Sequence, residues 1–272
     1  MHIPELNITF LGTGTSGGVP MIGCGCRVCT SPDKKDKRLR SSVLIRSKET
    51  TLVVDSGPDF RYQMLRADVK MLDAIVYTHS HKDHVAGLDD VRAYNFFSGK
   101  AMRVYSDEMT RQVLLREFPY AFKEFKYPGV PEIELNTIGL EPFMVGDIPV
   151  IPIRVWHLKM PVLGFRFGNF TYITDANRIE DSEKDKIRGS KVLVLNALRK
   201  QQHISHFSLE EAIRLAGELE IPQVYFTHVS HQMGRHEEVS AELPSGIHFA
   251  YDKLNIQVDA VDLPVDLPQL SR

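Results

Sequence analysis

The amino-acid sequence predicts an α/β protein in which two β-sheets pack face to face and helices cover their outer faces. Short apolar strands first follow one another and then alternate with helices, and both halves of the chain show this order. The 272 residues can bury a substantial core, and no repeat, low-complexity run or linker divides them. We therefore expect one domain over residues 1–258 and an irregular tail over residues 259–272.

In the first half, apolar and β-branched stretches predict the strands, and amphipathic stretches predict the helices. A Gly-rich turn at residues 12–18 follows the first strand, and Asp107 is placed to cap a helix. Residues 118–135 contain aromatic residues and prolines and are expected to be irregular. The predicted strands are residues 8–11, 42–46, 51–55, 74–78 and 102–105, and the predicted helices are residues 59–67, 85–94 and 107–117.

The second half repeats this organisation. Its clearest helix covers residues 208–219, with Ser208 as the N-cap and with Glu210 and Glu211 in the first turn, where negative charge stabilises a helix. Apolar stretches predict the strands at residues 143–145, 148–155, 164–167, 170–174, 191–196 and 223–227.

Bulk composition restricts the expected partners. The 33 basic and 35 acidic residues give a formal net charge of -2, which does not favour binding to nucleic acid or to a membrane surface. No apolar stretch approaches the roughly 18 residues of a membrane span, and the first residues lack the basic and apolar parts of a signal peptide. We expect a cytoplasmic protein that acts on a small molecule, and a homodimer is left open.

A histidine-rich run follows the predicted strand at residues 74–78. His79, His81 and His84 lie within six residues, with Asp83 between the last two. Imidazole and carboxylate groups are the usual ligands of zinc, manganese and iron. Because the run begins where a strand ends, one short loop can supply ligands to two adjacent metal ions. The spacing therefore predicts a metal centre.

This run resembles the signature of the metallo-β-lactamase superfamily, and the resemblance extends over most of the chain. In that family the remaining ligands follow later strands, and His157, Asp175 and His228 stand at the matching positions. The resemblance implies an αββα sandwich with two divalent ions, zinc or manganese. It also implies that Asp55 supports the ligand loop without binding metal itself.

By the family pattern, each ion would have its own ligands and one carboxylate would be shared. The expected ligands are His79, His81 and His157 at one ion, Asp83, His84 and His228 at the other, and Asp175 at both. Two divalent ions exceed the charge of the two carboxylates and of a bridging hydroxide. The site therefore suits an anionic substrate.

The three cysteines form a separate cluster. Cys24, Cys26 and Cys29 are too close in sequence to staple the fold, and in a cytosolic protein such a cluster indicates a metal site. Zinc prefers four ligands, so one is missing. A branch of the superfamily, which includes the cyclic-phosphate phosphodiesterases of phosphonate catabolism, carries this motif with a C-terminal histidine as fourth ligand. His231 matches that histidine, which implies a closed, structural zinc site.

The same phosphodiesterases carry a histidine just before a helix that is proposed as general acid, and His206 matches it. An imidazole, with an ordinary pKa of about 6.5, can donate a proton near neutrality. His203 lies nearby and is kept as the alternative acid. The resemblance thus implies a two-metal phosphodiesterase that cleaves a small, cyclic, ribose-linked phosphodiester. A metal-bridging hydroxide would attack, and His206, Asp83 and Asp175 would be the catalytic residues.

Two other functions stay open. The tRNA 3′-end processing endonucleases share these metal ligands, but they usually carry a long protruding arm and basic surfaces for RNA, which the sequence does not suggest. The pyrroloquinoline-quinone biosynthesis B protein shares the Gly-rich turn and the cysteine motif, which would make this chain a non-hydrolytic biosynthesis or binding protein. The complete ligand run at residues 79–84 favours a hydrolase.

Overall fold

A computed structural model describes residues 2–123 and 127–262, and two large mixed β-sheets form its centre. The first sheet contains β2 (Leu6–Gly12), β3 (Ser42–Arg46), β4 (Thr51–Val54), β5 (Ala74–Val76), β6 (Met102–Ser106), β7 (Ile133–Thr137) and β16 (Asn255–Val258). The second contains β8 (Phe143–Val145), β9 (Ile148–His157), β10 (Met160–Phe167), β11 (Phe170–Tyr172), β12 (Arg178–Ile179), β13 (Val192–Asn196), β14 (Gln223–Thr227) and β15 (Ile247–Phe249). A small separate ladder pairs β1 (His2–Ile3) with β17 (Val261–Asp262).

Both large sheets follow the same pairing order. In the first, the path β16-β2-β3-β4 is antiparallel and the path β4-β5-β6-β7 is parallel. In the second, β12-β9-β10-β11 is antiparallel and β11-β13-β14-β15 is parallel, and β8 adds to β9. Hairpins can join antiparallel neighbours, whereas parallel neighbours need a crossover. The change from consecutive strands to alternating strands and helices in each half is confirmed.

Helices cover the outer face of each sheet. They are α1 (Phe60–Arg66), α2 (Lys82–Val85), α3 (Arg92–Ser98), α4 (Glu108–Glu117), α5 (Asp181–Ile187), α6 (Leu209–Leu219) and α7 (His236–Ser240). One apolar cluster fills the space between the sheets, a second lies under α5, α6 and α7, and a third lies under α1, α2 and α4. This arrangement confirms the αββα sandwich. No helix in the described ranges is long and apolar enough to cross a membrane.

Helices α6 and α4 begin at the capping residues that the sequence predicts. The side chain of Ser208 accepts a hydrogen bond from the Glu211 backbone N–H, and the Glu211 side chain accepts one from the Ser208 backbone N–H, so a full capping box begins α6. The Asp107 side chain caps α4 by accepting a hydrogen bond from the Thr110 N–H. Both helix starts agree with the sequence prediction.

The predicted helix at residues 85–94 is wrong, because the chain there is broken. Helix α2 ends at Val85, a 3-10 turn covers Leu88–Val91, and α3 begins at Arg92. The break lies at Gly87, where an added Cβ would lie 2.2 Å from the carbonyl oxygen of Gly57. The backbone comes so close to the turn after β4 that a regular, side-chain-bearing helix cannot continue there.

Other segments also differ from the sequence prediction, which did not include α7, β12, β15 or β16. The stretch expected to be irregular at residues 118–135 contains the 3-10 turn Pro119–Ala121 and the start of β7 at Ile133. Helix α5 was not predicted. In the expected tail, Val261–Asp262 forms a strand, whereas residues 263–272 lie outside the described residues.

Candidate active site

The predicted ligands lie together at one edge of the sandwich, where strands end. The histidine run follows β5, His157 ends β9, Asp175 follows β11, and His228 follows β14. Asp175 and His228 both have a left-handed backbone with φ of 55°. Such a conformation is uncommon for residues other than glycine, and it turns the chain sharply just after the strand. The strand ends therefore bring together side chains that are far apart in sequence.

One group of four donors surrounds a common point. The ligating atoms of Asp83, His84, Asp175 and His228 all lie within 4.8 Å of one another. Oδ2 of Asp175 is 3.2 Å from His84 Nε2 and 3.2 Å from His228 Nδ1. Asp83 Oδ2 is also 3.2 Å from His84 Nε2. This group coincides with the residues expected at the second ion.

The remaining histidines pack beside that group. The ring centroids of His79 and His81 are 4.7 Å apart, and those of His81 and His157 are 5.1 Å apart. The ligating atoms of His157, Asp175 and His206 lie within 4.8 Å of one another, so His206 joins the cluster itself. Its Nδ1 is 3.8 Å from Asp175 Oδ1. His203 is next to it, with ring centroids 5.2 Å apart.

Divalent metal ions fit this donor set. Within the described residues, His79 Nε2 and His206 Nδ1 are buried and have no hydrogen-bond partner. Buried polar atoms without a partner are rare, and here they face a cluster of imidazole nitrogens and carboxylate oxygens. These are the donor types that zinc and manganese take in proteins.

Asp55 supports the ligand loop through contacts with Thr78 and His84. Its fully buried carboxylate accepts hydrogen bonds from the Thr78 backbone N–H and hydroxyl, both at 2.8 Å, and lies 2.7 Å from His84 Nδ1. This contact directs Nε2 of His84 toward the donor cluster. Gly57 allows the approach, because a Cβ there would lie 2.0 Å from the Asp83 carbonyl oxygen.

The electrostatics of the cluster favour metal binding. Burial lowers the pKa of His79 well below its ordinary value and also lowers that of His228. Burial alone would raise the pKa of Asp175, but His228 and His84 hold it well below its ordinary value. Burial alone would lower the pKa of His84, but Asp175, Asp55 and Asp83 hold it well above its ordinary value. An ionised carboxylate is therefore surrounded by neutral imidazoles and by a charged His84, and a metal ion that binds His84 would displace its proton.

Several supporting residues were missed by the sequence analysis. The hydroxyl of Thr15 lies 3.1 Å from His228 Nε2, and the hydroxyl of Thr174 donates to Asp175 Oδ2 at 2.7 Å. The buried amide of Asn196 binds both the N–H and the carbonyl of Ala176, at 2.8 and 2.9 Å, and so holds the turn after Asp175. The sequence marks these supporting residues only weakly, because each is a single polar residue at a strand end or in the Gly-rich turn.

The cysteine cluster forms a second donor set. The ligating atoms of Cys24, Cys26, Cys29 and His231 lie within 4.8 Å of one another. His231 Nδ1 is 3.3 Å from the Cys24 sulfur and 3.4 Å from the Cys26 sulfur. A hydrogen bond from the Cys29 backbone, with His231, lowers the pKa of Cys26 to about 6, whereas burial raises that of Cys29 to about 11. Three sulfurs and one imidazole suit a closed tetrahedral zinc site.

Comparison with known proteins places the chain in a family. Residues 50–229 match the model of the β-lactamase superfamily domain. The crystal structure of a new diphosphatase from the PhnP family has a TM-score of 0.90 and 39% sequence identity, and the match covers 97% of this chain and 100% of that chain.

Two curated relatives extend the comparison. An octanoyltransferase of Porphyromonas gingivalis is 38% identical over 252 residues, which are 92% of this chain and 51% of that protein. The chain thus spans about half the length of this relative. Coenzyme PQQ synthesis protein B of Methylorubrum extorquens is 30% identical over 218 residues, 70% of this chain and 72% of that protein. The chain therefore belongs to the β-lactamase superfamily.

Proposed function

We propose that the protein is a phosphodiesterase that hydrolyses a small phosphodiester, with a cyclic, ribose-linked phosphate as the leading substrate class. The position of His206 carries this proposal. Its ring centroid lies 4.6 Å from that of His157 and 4.9 Å from that of His228, so the imidazole faces the donor cluster. An acid placed there can reach the oxygen that leaves a phosphorus atom bound at the cluster.

The proposed metal complement combines the family pattern with the donor groups of the structure. Two divalent ions, zinc or manganese, would be held by His79, His81 and His157 and by Asp83, His84 and His228, with Asp175 shared, and a structural zinc by Cys24, Cys26, Cys29 and His231. When bound at the histidine and aspartate residues, the two ions supply Lewis acidity and a nucleophilic water at neutral pH.

His206 would give its proton to the leaving oxygen. Burial, and then the nearby His228, lower the pKa of His206 to about 3, so the ring of the free protein is neutral near pH 7. A phosphoryl anion beside the ring raises that pKa, because negative charge favours the protonated imidazole. This pKa is lower than the sequence analysis expected, so His206 can act as an acid near pH 7 only when bound substrate raises it.

A diphosphate is the second candidate substrate. The protein with 39% identity and full coverage is a diphosphatase, and a diphosphate presents the same phosphoryl group to a metal cluster. The two candidates differ in the leaving group. An alkoxide needs a proton in order to leave, whereas a phosphate is a much weaker base and depends less on an acid such as His206.

A hydrolysis screen tests the proposal. Manganese- and zinc-loaded protein would be offered ribose cyclic phosphates, linear phosphodiesters, organic diphosphates and pre-tRNA. We expect the cyclic phosphates to have the highest kcat/KM. Faster cleavage of pre-tRNA would favour the tRNA endonuclease alternative, and a metal-loaded protein that hydrolyses none of them would favour the non-hydrolytic one.

Two further expectations stay predictions. Sedimentation velocity at several protein concentrations would test whether the protein is a homodimer. Cell fractionation would test the cytoplasmic location.

A further inference from the structure

Leu158, directly after His157, has an unusual backbone. Its φ is 58°, a left-handed conformation that is strained for a branched side chain, and its side chain is 49% exposed. Burial therefore does not offset the strain. Strained residues persist where the surroundings hold them, and they cluster at sites that bind ligands.

Asn177 holds Leu158 in this conformation. Its side-chain oxygen accepts a hydrogen bond from the Leu158 N–H at 2.9 Å, and its amide nitrogen donates to the Ile204 carbonyl at 2.9 Å. The Asn177 backbone N–H also donates to the Trp156 carbonyl at 2.8 Å. One side chain thus ties the turn between β9 and β10 to the loop that carries His206.

The two tethered residues, Leu158 and Ile204, are both exposed, and each lies close in sequence to a histidine of the cluster. Ile204 is 73% exposed, and it stands two residues before His206 as Leu158 stands one residue after His157. The two segments are joined again where His157 Nδ1 contacts the Ser205 carbonyl at 2.9 Å. Two exposed aliphatic residues therefore stand close in sequence to His157 and His206, on two segments that hydrogen bonds hold together.

We propose that Leu158 and Ile204 form an apolar platform for the organic part of the leaving group, with Asn177 as the positioning residue. This inference rests on the proposed function, because it needs a leaving group that departs toward His206. The leaving group that such a platform would bind has a flat or apolar surface, as an aryl group or a nucleoside has.

The test compares two inhibitors that differ only in their apolar part. Phenyl phosphate and methyl phosphate carry the same phosphoryl group, and their inhibition constants would be measured on the metal-loaded protein with bis(p-nitrophenyl) phosphate as substrate. In Leu158→Gly, we expect the inhibition constant of phenyl phosphate to rise about tenfold, because apolar contact is lost. That of methyl phosphate should not change.

Stability separates this role from a structural one. Glycine adopts a positive φ without strain, so the melting temperature of Leu158→Gly should not fall. Glu220 is the matched control, because it has a φ of 55° at the end of α6, and Glu220→Gly should change neither inhibition constant. Ile204→Ser tests the second side chain and should also weaken phenyl phosphate selectively.

The outcomes distinguish the inference from the proposed function. Equal weakening of both inhibitors, or no weakening of either, in Leu158→Gly and Ile204→Ser would overturn the platform and leave the phosphodiesterase proposal intact. If the wild-type protein hydrolyses no phosphoester, the proposed function fails. Calorimetric binding of the same two inhibitors would then still decide whether the platform exists.

Discussion

The histidine and aspartate cluster and the cysteine cluster meet at one short segment, since His228 belongs to the first and His231 to the second. They are nevertheless built in opposite ways. The cysteine cluster takes three of its four donors from residues 24–29, whereas the other cluster collects donors from the ends of four strands. A local loop thus supplies most of a closed tetrahedral site and needs one distant histidine, whereas the donors of the larger cluster converge from separate strand ends.

The two clusters also differ in how their surroundings shift the pKa values of the donor groups. In the first cluster, burial lowers the pKa of His79, whereas His228 and His84 hold the pKa of Asp175 well below its ordinary value. In the second, backbone hydrogen bonding lowers the pKa of one thiol while burial raises that of another. We propose that the first cluster serves chemistry and the second serves structure. The following substitutions and treatments test that division.

The largest effect is expected for Asp175→Asn. The change keeps the shape but removes the charge shared by His84 and His228, so kcat/KM should fall by about 10³-fold or more. Elemental analysis should show metal lost from this cluster and retained at the cysteines. Asp185→Asn is the control, because Asp185 is an exposed partner of Arg188. A fully active, fully loaded Asp175→Asn protein would contradict the shared-ligand role.

His206→Ala separates an acid from a ligand. We expect unchanged metal content and a fall of about 10²-fold in turnover of an alkyl phosphodiester. Turnover of a p-nitrophenyl diester should fall much less, because nitrophenolate leaves without a proton. His203→Ala tests the alternative acid in the same assay. Loss of one ion in His206→Ala would instead make His206 a metal ligand, as its place beside His157 and Asp175 permits.

Asp55→Asn should have a smaller effect, because Asp55 contacts Nδ1 of His84 and is not among the donors that cluster around Asp175. We expect metal affinity to weaken by about 10–100-fold, measured by competition with a chelator. Asp73 provides a matched control. It accepts a hydrogen bond from the Thr51 N–H at the opposite end of the same strands, so Asp73→Asn should leave metal affinity unchanged.

Treatment with a chelator should distinguish the two clusters by how easily each loses its metal. We expect about three ions per chain, of which a mild chelator removes those at the histidine and aspartate residues while one resists, because a closed four-donor site has no open position. Cys26→Ser should lose that ion, lower the melting temperature and change kcat by less than about tenfold. Simultaneous loss of all ions would show that the clusters are not separate.

The smallest effect concerns thiol reactivity in metal-free protein. A thiolate forms as the pH rises through the thiol pKa, so alkylation of Cys26 by iodoacetamide should rise through pH values near its pKa of about 6. Cys29, with a pKa of about 11, should stay protonated and unreactive at neutral pH. Mass spectrometry of the labelled peptides would measure both. A Cys26 midpoint as high as that of an ordinary thiol would contradict the predicted asymmetry.

The sequence by itself determined the fold class and proposed the donor residues. Strand periodicity, the capping box at Ser208 and the spacing of residues 79–84 are local properties, and hydrophobic alternation sets which face of each strand is buried. Resemblance to a family then linked His157, Asp175, His228 and His231 to their distant partners. In the structure, Asp175 and His228 meet Asp83 and His84, His157 meets Asp175 and His206, and His231 meets the cysteines.

Only the tertiary structure decided the features that depend on contacts between distant segments. The helix predicted at residues 85–94 breaks because Gly87 meets the backbone of Gly57, thirty residues earlier. His206 lies beside Asp175, and Asn177 joins Leu158 to Ile204, because β9, β11 and the loop after β13 end at one edge. No periodicity within a segment encodes such approaches, since they arise when separate strands pack into one sheet.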